Sequence, residues 1–398
     1  MTDNQTTQQL TFQRPMGEWM AQHNSTLADA VTAARSMSAG RADFRTRGDM
    51  IAYQNGRFSF NPQWGEARRL RGPVVYEAGI ETQAIRDLVE FLDAPGLSAK
   101  YILENDPDVA NWVINHHLTR GERVLTVRAD HNGDDFTIRS FGSQQYSTDL
   151  DNLEVLRAMT TAGWTNVDGT FQHVFNPNMP IQGTIGRDYM RLYLVYPQFQ
   201  QHIPDMPDGG RSLYRAGLVI DNGEVRNKSF RVMPFIQRTA CLNSVSYPGW
   251  EQYGKKFAHK GTKIAAMAVG EAVEAVAPLF DDESQQNLHL IIDSLAQAGM
   301  QQLGRNGSLD AIARFSKAFG VSDQDQMLLA QEANNYATTK LGVANAFTAY
   351  AQKFPANIRS EIESAAGLFI FEGHFGTLDT DTKAELSELA ELEAAELR

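Results

Sequence analysis

The chain has little cysteine and no long apolar run. Its 398 residues include a single cysteine, Cys241, which excludes an internal disulfide framework and a zinc site built from several cysteines. No stretch of about eighteen consecutive apolar residues occurs, so the sequence predicts no membrane-spanning helix. The first residues are polar and lack the apolar segment of a secretory signal. These features together predict a protein of a reducing, cytoplasmic compartment.

The signatures of several common enzymes and cofactor sites are also missing. The sequence has no HExxH, no GxxxxGK[ST], no GxSxG, and no GxGxxG that follows a strand pattern. These motifs place zinc ligands, phosphate-binding loops and nucleophilic serines. We therefore predict no cofactor and no metal, assign no catalytic residue, and favour a binding protein over an enzyme.

The charge is acidic overall but unevenly distributed. The formal net charge of −12 argues against uniform affinity for nucleic acid. Residues 211–263 nevertheless contain ten Lys or Arg against three acidic residues, and residues 35–71 contain eight Arg against three. Residues 372–398 contain eight Asp or Glu against two basic residues. The basic segments are candidate phosphate contacts, and the acidic tail is a candidate contact for a protein partner.

Hydrophobic periodicity predicts an α+β protein in which an antiparallel-rich sheet packs with helices. Asn55-Gly56 separates two apolar runs and is typical of a hairpin turn, and alternating residues on both sides of 131–134 predict a second hairpin. From Gly261 onward the apolar spacing becomes helical. We predict four units: a polar arm, helix and Arg-rich hairpin (1–71), an α+β core domain (72–262), a helical unit (263–368) and an acidic amphipathic helical tail (369–398).

The basic stretch within the predicted core domain interleaves cations with aromatic residues. Proteins that hold single-stranded nucleic acid contact phosphates with Arg and Lys and stack bases on aromatic rings. Strands also carry aromatic residues for packing reasons alone. The candidate residues for nucleic-acid binding are Arg226, Lys228, Arg231, Arg238, Lys255, Lys256 and, for stacking, Tyr214.

Cys241 lies in the segment RVMPFIQRTACLNSV, close to two arginines. A reactive thiolate needs a lowered pKa and usually a nearby base, and no histidine follows until His259. Free cysteine is among the most buried residue types. We expect Cys241 to pack in the interior and Asn243 to satisfy local backbone groups.

The segment GLVIDNGEVRNKSFRVMPFIQRTACLNSV (217–245) resembles the core motif of a phage- and plasmid-related family, domain of unknown function 932. That motif has a polar turn, a strand and an Arg-x-x-Cys-x-Asn segment, although Gly223 stands here where the family has Ser. Downstream segments resemble the family's His-x-Gly, its Asn-Ala-x-Thr helix and its Ala-Gly segment. The matching residues are Asn222, Glu224, Arg238, Cys241, Asn243, His259, Gly261, Asn345, Ala346, Thr348 and Gly367.

The resemblance covers about residues 120–370 and implies a bacterial or phage-infected host and a role in the DNA biology of mobile elements. It supplies no reaction. With the basic stretch, it predicts a protein that binds single-stranded DNA, to protect or anneal it.

Two alternatives remain open. The first is a metal-dependent nuclease that uses His131, Asp134, Asp135 and His259. The second is an assembly or host-interaction protein whose helical unit and tail make protein contacts, with homo-oligomerisation and no DNA binding.

Overall fold

A computed structural model gives the fold over most of the chain. It describes residues 19–21, 25–54, 57–60, 76–81, 84–85, 87–89, 107–120, 124–132, 135–143, 150–162, 164–167, 170–225, 229–239, 244–246, 255–258, 264–280, 288–354 and 356–375.

The strands fall mainly in the first two thirds of the chain. In chain order they are β1 (Trp19–Met20), β2 (Phe44–Arg47), β3 (Ile51–Gln54), β4 (Arg57–Phe60), β5 (Tyr76–Ile80), β6 (Val124–Asn132), β7 (Asp135–Ser143), β8 (Trp164–Val167), β9 (Thr170–His173), β10 (Ile181–Ile185), β11 (Tyr189–Pro204), β12 (Arg211–Gly223), β13 (Phe230–Arg238), β14 (Ser244–Ser246) and β15 (Lys255–Phe257).

Most helices follow the strands. They are α1 (Leu27–Met37), α2 (Pro107–Thr119), α3 (Asn152–Ala162), α4 (Ala265–Val276), α5 (Leu288–Met300), α6 (Gly304–Phe319), α7 (Asp323–Ala333), α8 (Lys340–Ala351) and α9 (Ala356–Glu372), with 3-10 turns at Gly48–Met50 and Ala277–Phe280. None of the helices within the described ranges is long and apolar enough to cross a bilayer.

Two main sheets and a two-stranded β8–β9 sheet contain the described strands, and the predicted α+β class is confirmed. The large sheet has the order β1-β10-β11-β12-β13-β14, with β15 also paired to β13, and its pairs are antiparallel. The small sheet has the order β2-β6-β7-β5-β4-β3, and only its β5–β7 pair is parallel. The hairpins predicted around residues 55–56 and 131–134 are β3–β4 and β6–β7.

The hydrophobic cores divide the chain differently from the predicted units. Helices α4–α9 share one core with the large sheet, so no separate core begins at residue 263. The small sheet has its own core under α2, in which Phe44 packs with Phe136 and Phe58 with Phe141. Strands 44–60 thus belong with 124–143, across the predicted boundary at residue 71, because β2 pairs with β6 and β4 with β5.

Strand β11 corrects one prediction. The apolar alternation predicts that this strand stops at Pro197, yet β11 continues to Pro204. Its pairing with β12 shifts register between Val195 and Gln200. Proline has no N–H to donate to a ladder, and an irregular segment of this kind accommodates it within a strand.

Candidate nucleic-acid interface

Of the three described arginine and tyrosine candidates of β12 and β13, Tyr214 and Arg238 are buried and the Arg231 side chain is 12% exposed. Arg238 pairs across the strands with Tyr214, and Arg231 pairs with Asp221. Tyr214 is 1% exposed and Arg238 is 7% exposed. A phosphate contact requires an accessible guanidinium. The residues around Arg231 and Arg238 therefore decide whether these arginines can contact DNA as predicted.

Arg238 neutralises the buried carboxylate of Asp205. Its Nε donates to Asp205 Oδ2 at 2.6 Å, and its guanidinium lies 5.3 Å from the ring centroid of Tyr336. The Tyr214 hydroxyl donates to the same oxygen at 2.8 Å and accepts from Asn345 Nδ2 at 2.8 Å. Burial raises the pKa of Tyr214, and the nearby Asp205 carboxylate raises it further. The predicted phosphate role of Arg238 and the stacking role of Tyr214 are therefore corrected: both residues form a buried polar cluster.

Arg231 belongs to a second buried cluster on the large sheet. Its Nη2 lies 3.0 Å from Asp221 Oδ2 and 3.4 Å from Ser360 Oγ on α9. The same carboxylate accepts from Arg191, whose other nitrogen donates to Glu363 at 2.6 Å. Since its described contacts hold α9 against the sheet, the predicted phosphate role of Arg231 is also replaced by a structural one.

The two acidic groups of this second cluster have opposite pKa directions. Burial alone raises the pKa of Asp221, but the charges of Arg191 and Arg231 outweigh it, so the pKa lies below its usual value. Burial also raises the pKa of Glu363, and there the nearby Arg191 only partly offsets it. The cluster thus holds Asp221 as a carboxylate that neutralises two cations.

Glu224 joins the two sheets. Its side chain contacts the guanidinium groups of Arg41 and Arg139, and it accepts from the backbone N–H of Asn152 at 2.7 Å. Burial raises the pKa of Glu224, but the three arginines Arg41, Arg128 and Arg139 outweigh burial and lower it. The neighbouring Asn222 donates to the Leu150 carbonyl at 2.9 Å. Both residues of the predicted turn motif therefore tie α3 and the small sheet to the large sheet.

The later motif residues are also packed inside. Asn345 and Thr348 are buried in α8, and Thr348 Oγ1 donates to the Asn345 carbonyl at 3.1 Å. A Cβ on Gly367 would lie 1.9 Å from the Ser246 carbonyl oxygen, so only glycine fits where α9 crosses β14. Packing alone therefore explains why Asn345, Thr348 and Gly367 occur at these positions.

Several predicted residues lie outside the described part of the chain. They are Arg226, Lys228, Cys241, Asn243, His259, Gly261, Asp134 and the tail from residue 376 onward. Lys255 lies on β15 opposite Val232, and Lys256 is exposed opposite Arg231.

The nuclease alternative gains no support from the described residues. His131 is half-buried at the end of β6, with its ring centroid 5.7 Å from that of Phe136. Within the described ranges, no three His, Cys, Asp or Glu side chains stand close enough to hold a metal ion. Asp134 and His259 lie outside those ranges, so the alternative remains untested.

Two further cations of the basic stretch, Arg211 and Arg215, lie near the turn that joins β11 to β12. Gln200 pairs with Arg215, His202 with Leu213, and Pro204 with Arg211. We call the surface formed by Gln198, Gln200, His202, Arg211, Leu213 and Arg215 the hairpin face, since alternate residues of a strand share a side.

The hairpin face is polar and accessible. Its β11 residues and Arg211 are exposed, while the alternate residues Phe199, Ile203 and Tyr214 are buried in the core. Neither Arg211 nor Arg215 forms an ion pair within the described residues; Arg215 Nε donates to Gln200 Oε1 at 3.4 Å. These arginines belong to the basic stretch, but the sequence pattern gave no reason to prefer them over Arg231 or Arg238. Ion pairing separates the two sets, because Arg231 and Arg238 each neutralise a buried carboxylate.

No protein-family model, curated protein or solved structure matches this chain. The resemblance to the phage- and plasmid-related family therefore remains a prediction from the motif residues.

Proposed function

We propose that this chain binds single-stranded DNA, without cleaving it, along the hairpin face, and that it serves a phage or plasmid by protecting or annealing that strand. The observation that carries the proposal is a pair of arginines on one side of a strand, exposed Arg211 and half-buried Arg215, neither of which forms an ion pair within the described residues. Four residues along a strand span about 13 Å, so the two guanidinium groups can contact successive parts of one DNA backbone. The motif resemblance, which implies mobile-element DNA biology, supports the choice of DNA.

The surrounding residues favour contact with a polar chain. Gln200 holds Arg215, and Gln198, Gln200 and His202 add hydrogen-bonding groups on the same side. Phosphate contacts of this kind are electrostatic and do not distinguish one base sequence from another. The net charge of −12 opposes binding elsewhere on the surface, which confines the expected contact to a local basic region.

Fluorescence anisotropy with a labelled single strand and its duplex, with and without magnesium, tests the proposal. Two neutralised phosphates predict a slope of about −1.4 for log affinity against log salt, so raising salt from about 50 to 200 mM should weaken single-strand binding about sevenfold. The double variant Arg211→Ala/Arg215→Ala should lose this salt-sensitive binding.

A control variant should remove the same charge from elsewhere. Arg157 and Arg305 are exposed on α3 and α6, and Arg157→Ala/Arg305→Ala should bind like the parent protein. Equal loss in both double variants would indicate a net-charge effect and contradict a local interface. Magnesium-dependent cleavage would favour the nuclease alternative, and no binding in any condition would favour an assembly protein.

A further inference from the structure

A cavity of about 320 Å³ opens beside the hairpin face. Its walls include Met179, Tyr196 and Phe280, and Asn176, Asn178 and Gln198 supply its polar groups. Ligand pockets begin at about 300 Å³, so this volume suits a small ring system. We infer that the cavity receives one unstacked nucleobase of the bound strand; this inference rests on the proposed function.

The shape of the cavity follows from the irregularity in β11. The strand loses regular pairing between Val195 and Gln200, and residues 195–198 of this segment line the opening. The ring of Tyr196 is fixed because its hydroxyl donates to the Val174 carbonyl at 2.8 Å. Phe280 packs edge-on against that ring, with centroids 4.8 Å apart. The aromatic wall is therefore already formed without a ligand.

The lining chemistry favours a base over a phosphate. The lining residues include no charged side chain, so an anion would lack a counter-charge inside the cavity. Each carboxamide offers both a donor and an acceptor, as the edge of a nucleobase requires. Asn176 Oδ1 already accepts from the Asn178 backbone N–H at 2.9 Å, whereas the side chains of Asn178 and Gln198 are exposed at the opening.

The cavity and the arginines lie on one continuous surface. Gln198 lines the cavity, and Gln200, two residues further along β11, accepts from Arg215. Two residues of chain span at most about 7 Å. A DNA strand whose phosphate contacts Arg215 can therefore place a neighbouring base at the opening. A paired base must first leave its duplex, which costs energy, so the cavity also accounts for a preference for single strands.

The test compares two single strands of equal length and charge. One is a 20-residue oligothymidylate, and the other carries abasic residues throughout. A base held against an aromatic wall predicts binding of the oligothymidylate at least about fivefold tighter than the abasic strand. Asn178→Ala, which removes a carboxamide of the cavity that lies outside the hairpin face, should reduce this preference and leave abasic binding unchanged. Gln331→Ala, which alters an exposed amide on α7, serves as the matched control.

The possible results distinguish the base cavity from the proposed binding of single-stranded DNA. Equal, salt-sensitive binding of both strands would overturn the base cavity and leave the proposed function standing. A preference for thymidylate that is undiminished in Asn178→Ala would place base recognition elsewhere and also overturn the cavity. Failure of both strands to bind would overturn the proposed function and this inference together.

Discussion

Arg191 donates to both carboxylate oxygens of Asp221, at 2.6 and 2.7 Å, and both side chains are excluded from solvent. The two residues face each other across β11 and β12. The same guanidinium reaches Glu363 on α9, so this pair links the centre of the large sheet to the last described helix. Removing one partner of a buried ion pair destabilises the fold, because it leaves the other charge buried without compensation.

Asp221→Asn should lower the free energy of unfolding by roughly 3–5 kcal/mol, because it leaves Arg191 and Arg231 buried without their shared counter-charge. Urea denaturation of the parent protein and the variant measures the difference. Glu154→Ala is the control: its partner Arg157 is about half exposed, and such surface pairs contribute less than about 1 kcal/mol. A loss below about 1 kcal/mol in Asp221→Asn would contradict the buried pair.

The same substitution predicts a pH dependence. The pKa of Asp221 is lower in the folded chain than its usual value, so its stabilising contribution is present above the unfolded pKa of about 3.9 and is lost as pH falls through the folded pKa. The difference in the free energy of unfolding between the parent protein and Asp221→Asn should become smaller below about pH 4. Burial raises the pKa of Asp130 and of Asp151, so these two groups lower the free energy of unfolding of both proteins as pH rises.

Unfolding measured at several pH values between about 3 and 7 checks this dependence. Because Asp130 and Asp151 are common to both proteins, the difference between the two curves reports Asp221 together with Glu363, which shares Arg191 with it. A gap that stays constant across this range would show that the pKa of Asp221 is the same in the folded and unfolded chain.

Two helical glycines should respond oppositely to alanine. A Cβ on Gly342, in the first turn of α8, would lie 1.8 Å from the Ala337 carbonyl oxygen, whereas a Cβ on Gly270 in α4 would meet no described atom within 4 Å. Gly342→Ala should therefore destabilise by roughly 1–3 kcal/mol through overpacking. Gly270→Ala should stabilise by roughly 0.5–1 kcal/mol, because alanine loses less backbone entropy in a helix. Thermal unfolding of both variants gives the comparison, and equal effects would contradict the contact at Gly342.

Local structure was predictable from local signals. The Asn55-Gly56 turn predicts the β3–β4 hairpin, and the alternation on both sides of residues 131–134 predicts the β6–β7 hairpin. The alternation in β13 predicts which residues share a side, and Phe230, Val232 and Ile236 do lie in the large core. Such signals depend on residues a few positions apart, which a sequence displays directly.

The burial of the arginines was not predictable in this way. Alternation places Arg231 on the side opposite Val232, but it does not show what covers that side. Arg231 is covered by Ser360 and Glu361 on α9, which lie more than 120 residues later in the chain. The Asp205 partner of Arg238 is likewise 33 residues away. A cation count therefore identifies a basic stretch without separating structural arginines from exposed ones.

An arginine that neutralises a buried carboxylate and an arginine without an ion pair among the described residues should respond differently to alanine. Arg238→Ala should lower the melting temperature by several degrees, because it leaves Asp205 buried beside Tyr214 without its counter-charge. Arg211→Ala/Arg215→Ala should leave the melting temperature unchanged and weaken DNA binding, since neither guanidinium has an ion-pair partner among the described residues. Thermal melts and anisotropy on the same preparations compare the two effects. If Arg238→Ala melted like the parent protein but lost DNA binding, the interface would return to β13; if it lost only stability, the exposed arginines would remain the place where a phosphate can bind.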